Sequence, residues 1–98
     1  MSVLTVVKLQ AHLGRGEELL QAVEMPVKLT RDNPRCHSVE VLHDADNPDL
    51  VVFKERWTSA KDHTRHVESL VEAGYFMTVF PLIGAQIETD HFDIAAND

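Results

Sequence analysis

The residues with the most chemical potential lie in one stretch, VVFKERWTSAKDHTRHVESL, residues 51–70. Glu55 falls on the same strand face as Val51, Phe53 and Trp57, because alternate residues of a strand share a face. A carboxylate among apolar side chains is costly unless it is paired, hydrogen-bonded or open to a wet cavity. Two roles fit: a partner near the strand end for a lysine, arginine or histidine, or a group that orients His66 or a substrate hydroxyl. His63 and His66 are three residues apart and share one face of the following helix. An imidazole near neutral pH can accept a proton or donate a fixed hydrogen bond to a substrate oxygen. The alternative for His66 is a core histidine satisfied by Glu55.

Other chemistries have less support. His-x-x-His could supply two metal ligands, but it lacks the His-Glu-x-x-His zinc signature. A third ligand would have to come from His37, His91, Glu55 or a partner chain; no metal and no cofactor is expected. Cys36 begins a strand, and the side chain of adjacent His37 should point to the opposite face, so no nucleophile–base pair is evident. Phe53, Trp57, Tyr75, Phe76 and Phe80 include every aromatic side chain but Phe92. They could line a flat pocket for a ring-shaped substrate, with His63 and Leu70 beside them, or form the core of a small domain.

The positioning elements follow from periodicity. Val3–His12 is rich in β-branched residues and reads as a strand. Gly14 and Gly16 form a turn, since the third glycine of a dinucleotide fingerprint is missing. Leu19, Val23 and Val27 make an apolar helical stripe over about 15–31, which Pro26 should bend or divide. Cys36–His43 and Leu50–Trp57 are further strands, separated by the turn-forming DADNPD. Ser59 and Asp62 suggest a capping box opening a helix that turns Val67, Leu70 and Val71 inward and ends near Gly74. YFMTVFPLI continues as a short helix or turn over the sheet. Ala85–Ile94 is the last strand, and 95–98 is a frayed tail. The order β-α-β-β-α-β predicts an α+β, ferredoxin-like domain with two helices on one face of a four-stranded antiparallel sheet. The other face, where Val7, Leu9, Leu42 and Val52 are expected, would need cover from a second copy.

The 98 residues are enough for one domain, spanning 1–98. A formal net charge of −7 and the lack of a basic stripe oppose a nucleic-acid role. VLTVVKLQAH is too short and interrupted for a membrane span, and it lacks the basic region and cleavage site of an export signal. A single cysteine fits a reducing, cytoplasmic setting.

The passage FKERWTSAKDHTRHVES, with VVKLQAH near the start and LTRDNPRC closing the first helix, resembles the antibiotic biosynthesis monooxygenase family over residues 3–94. The resemblance implies a homodimer whose sheets form an α/β barrel, with a cavity in each subunit. It implies cofactor-independent oxidation of a quinol or electron-rich phenolic ring by dioxygen, with Glu55, Trp57 and His66 as catalytic residues. The haem-degrading branch is disfavoured by His66 and Phe76 and by the lack of an asparagine in VLTVVKLQ. Arg35 stands where a glycine is usual. The alternatives are cofactor-free isomerisation of a small carbonyl compound through His66 and Glu55, or non-catalytic binding of a small ligand by a dimer.

Overall fold

Alternation in the first strand sets the phase of the whole sheet. In β1 (Val3–Gln10) the side chains of Val3, Thr5, Val7 and Leu9 are buried, while Leu4, Val6 and Lys8 take the opposite face. A computed structural model describes residues 2–96. After β1 come α1 (Gly16–Ala22), α2 (Glu24–Arg31), β2 (Cys36–His43), β3 (Leu50–Trp57), α3 (Ala60–Glu72), a 3-10 turn (Phe80–Leu82) and β4 (Glu88–Asp93). The strands are antiparallel in the order β2-β3-β1-β4, as the ferredoxin-like reading expects. The last strand is shorter than 85–94, and residues 97 and 98 of the expected tail lie outside the described residues.

The expected dimeric α/β barrel is corrected: the sheet is open, not closed into a barrel. β2 and β4 are opposite edges, each paired with one neighbour, and four strands are too few to curl until such edges meet. The face assigned to Val7 and Leu9 is corrected as well. Pairing of Val7 with Phe53 and of Leu9 with Val51 puts them under the helices. The open face instead carries half-buried Leu4, Val6 and Val52, and exposed Leu42 and Phe92.

Three helices replace the expected two, because the first segment divides at Val23. Pro26 lacks an N–H and crowds the carbonyl of Ala22, so it is accommodated in the first turn of α2. The Thr30 hydroxyl donates to the Pro26 carbonyl at 2.8 Å. At the start of α3 the Ser59 Oγ accepts the Asp62 N–H at 3.1 Å, and the Asp62 carboxylate accepts from the Thr58 hydroxyl. The helix ends in a left-handed Gly74, φ 86°. There the Tyr75 N–H bonds Leu70 O and the Gly74 N–H bonds Val71 O, each at 3.0 Å, satisfying carbonyls the helix leaves free. His63, His66 and Leu70 form the buried stripe of α3. Val67 is half-buried and Val71 exposed, at the flank rather than inward as expected.

Candidate functional site

Two rows of paired residues cross the covered face of the sheet. His91, Thr5, Glu55 and Val39 form one, and Trp57 lies over Val3 and Cys36 in the next. Trp57 is 0% exposed, so its indole N–H needs a buried acceptor. Glu55 supplies it: Trp57 Nε1–H donates to Glu55 Oε1 at 2.7 Å. Both α3 histidines pack on the indole, with ring centroids 5.5 Å away for His63 and 5.2 Å for His66.

The histidines have different partners. His63 Nε2 is 3.9 Å from Glu55 Oε1, and His63 Nδ1 is 3.0 Å from His91 Nε2. His66 does not bond Glu55. Its Nε2 is 2.8 Å from Thr30 Oγ1 and its Nδ1 is 2.9 Å from Asn33 Nδ2. Because Thr30 spends its only hydroxyl proton on Pro26 O, its oxygen must accept from His66, and Nε2 carries the ring proton. Asn33 Oδ1 accepts the Arg35 N–H at 2.9 Å, which turns the amide nitrogen toward His66. His66 is thereby held neutral, protonated at Nε2, with the Nδ1 lone pair engaged.

Burial decides the electrostatics. It raises Glu55 above the ordinary carboxylate range, against the opposing Trp57 hydrogen bond. His63 is pulled down to about 4, first by burial and then by His91 and His66. Burial also lowers His66. At neutral pH both α3 imidazoles are uncharged. Cys36 is pushed up to about 11 by burial and then by the Glu55 charge, which makes it a poor nucleophile. His37 is exposed at the register shift between Cys36 and Ser38.

A cavity of about 430 Å³ opens between sheet and helices, a size suited to a small organic ring. Of the residues expected there, Glu55, His66, Phe53, His63, Leu70, Phe76 and Phe80 line it. Trp57 lies behind Glu55, and Tyr75 is 41% exposed; neither reaches the lining. Thr30 and His91, from α2 and β4, do line it. Thr30 and Asn33 were not among the expected site residues. The available signal was Thr30 in helical phase with Pro26 and four residues beyond it, inside an apolar stripe. The sequence offers His91 only as a possible metal ligand. Among the described residues no group of three His, Cys, Asp or Glu side chains is arranged to hold a metal ion.

An open ferredoxin-like sheet, with a helix-covered cavity holding a buried carboxylate, defines the class. Residues 2–76 match the model of the antibiotic biosynthesis monooxygenase family, and the chain belongs to that family. Its fold is similar to a protein of Nitrosomonas europaea named after the antibiotic biosynthesis monooxygenases (TM-score 0.85, 19% identity, 96% of this chain and 90% of that one). It is also similar to Rv0793 from Mycobacterium tuberculosis (TM-score 0.83, 18% identity, 99% and 98%). A third similar structure is SnoaB, a cofactor-independent oxygenase from Streptomyces nogalater (TM-score 0.79, 16% identity, 98% and 95%). At these identities the likeness establishes the fold. No curated protein matches by sequence. Among the described residues no helix is long and apolar enough to cross a membrane.

Two outcomes follow from the histidines. Nitrogen-15 NMR at neutral pH should find His66 protonated at Nε2 and bare at Nδ1; a proton on Nδ1 would contradict the Thr30–Asn33 arrangement. His63 binds protons less readily folded than unfolded, so its contribution to stability is present above its ordinary 6.5 and is lost as pH falls toward about 4. Glu55, with its raised value, works in the opposite sense, so the His63 effect is isolated by difference. Urea denaturation should show the wild type losing about 2 kcal/mol relative to His63→Gln between pH 7.5 and 5. An unchanged difference would mean that His63 titrates normally in the folded protein.

Proposed function

We propose that the cavity binds an electron-rich hydroxylated ring, a quinol or phenol, and that the protein oxidises it with dioxygen without a cofactor. The observation that carries this reading is a largely apolar cavity with the buried Glu55 carboxylate on its wall. Family membership supports it. Glu55 takes the hydroxyl proton, and the O–H electron pair stays on the ring. A ring carbon bonds dioxygen as a peroxide anion, which takes a proton back through Glu55 to become the hydroperoxide. Glu55, ionised again, then takes that carbon's proton as the O–O bond cleaves to leave a carbonyl, and passes it to the departing hydroxide to form water. The ring is the reductant and dioxygen the oxidant. Trp57 aims Glu55 through its N–H. His66, with both ring nitrogens engaged, serves as a rigid wall behind the ring, and the apolar lining excludes bulk water.

The open sheet face supports a homodimer in this reading. It joins Leu4, Val6 and Val52 to a basic strip on β3, Lys54 and Arg56, and an acidic strip on β4, Glu88 and Asp90. A two-fold pairing can set one strip on the other. Sedimentation equilibrium should give twice the chain mass, and Val6→Lys should lower it to one; a monomeric wild type at micromolar concentration would refute the dimer.

Oxygen uptake by metal-stripped protein against hydroquinones and phenolic polycycles tests the chemistry, with autoxidation subtracted. Labelled dioxygen should appear in the product. Glu55→Gln should lower turnover about 100-fold, and His66→Ala should lower it less. Undiminished turnover in Glu55→Gln would remove the proton-accepting role. Turnover that proceeds equally without oxygen would replace the oxygenase reading by isomerisation.

A further inference from the structure

Glu55 and His63 are 5% exposed, so a proton taken from a hydroxyl that fills the cavity meets little water there. One continuous set of side chains leads outward. His63 stands 3.9 Å from Glu55 and 3.0 Å from His91. His91 lines the cavity and is itself exposed, on the edge strand β4. The groups facing His63 are thus Glu55 from β3, His91 from β4 and His66 on its own helix. Buried Thr5 Oγ1, in the sheet row between Glu55 and His91, has no hydrogen-bond partner among the described residues, leaving a hydroxyl beside the same path. His66 cannot serve as the outlet, since Thr30 and Asn33 engage both its nitrogens.

We propose that His91 is the outlet of a proton relay running from Glu55 through His63 to solvent. The relay rests on the oxygenase reading above. The Glu55 carboxyl, having received the substrate proton, passes it to His63 Nε2; His63 releases its Nδ1 proton to His91 Nε2; and His91 releases its own Nδ1 proton to water. Hydrogen-bond length between Glu55 and His63 requires a movement of about 1 Å. After dioxygen has bonded the ring, the chain runs in reverse, supplies the peroxide anion with its proton through Glu55 and restores both tautomers. A neutral His63 at working pH suits it to accept.

His91→Gln tests the relay, because the site is exposed and glutamine keeps a polar group toward His63. Exchange of the His63 ring N–H with solvent, followed by nitrogen-15 NMR on ligand-free protein, should slow about ten-fold or more and recover with added imidazole. Oxygen uptake with a hydroquinone in weak buffer should fall and recover in parallel, while the wild type ignores imidazole. Unchanged exchange in His91→Gln, or a deficit that imidazole does not restore, would overturn the relay whatever the turnover. Slowed and rescued exchange without oxygen uptake by the wild type would keep the proton path and refute the oxygenase reading instead.

Discussion

The bond between Trp57 and Glu55 organises this protein. A fully buried indole must find an acceptor for its N–H, and a buried carboxylate must find a donor. Here each answers the other across two residues of one strand face. Leaving either group unpaired would cost about 1–3 kcal/mol. The bond fixes the indole plane, and that plane is the floor on which both histidines of α3 rest. The carboxylate keeps an oxygen-bearing face toward the cavity without becoming an ordinary surface acid.

Around that floor the two histidines have separate partners. His66 ties α3 to the end of α2 through Thr30 and Asn33. That tie depends on Pro26, whose carbonyl takes the Thr30 proton and so sets the direction of every bond beyond it. His63 is turned the other way, toward Glu55 and the edge strand. One helix face thus carries an imidazole tied to α2 and another that faces β3 and β4, separated by a single turn. Their difference arises from neighbours on α2, β3 and β4, not from the histidines' positions on α3.

Much of the fold was legible in the sequence. Strand alternation placed Glu55, Phe53 and Trp57 on one face; Pro26 marked the helix break; Ser59 and Gly74 bounded α3. Barrel closure came from resemblance rather than from the chain, and the open edges of β2 and β4 contradict it. The phase of β1 is not legible in the sequence because VLTVVKLQ is apolar on both faces, so alternation alone does not say which side meets the helices. Pairing with β3 decides it. Within the site, the carboxylate and the two histidines stood out by type and spacing. Their partners did not, since a hydroxyl on α2 and an amide after it are brought to His66 only by tertiary packing. Tyr75 shows the converse: an aromatic in a promising cluster is left outside by the helix stop at Gly74.

The strand order has a consequence for how the cavity comes into being. β1 pairs with β4 from Val3 to Asp93, nearly the widest sequence separation the described residues allow. Such a pairing forms only after a long loop has closed, at an entropic cost that nearby contacts do not bear. The β2–β3 hairpin and α3 can assemble from local contacts, but they make only part of the wall. The last side of the cavity, with Ile87, Thr89 and His91, arrives with that distant strand. A partly folded chain can therefore hold its carboxylate and both helix histidines and still have no enclosed chamber.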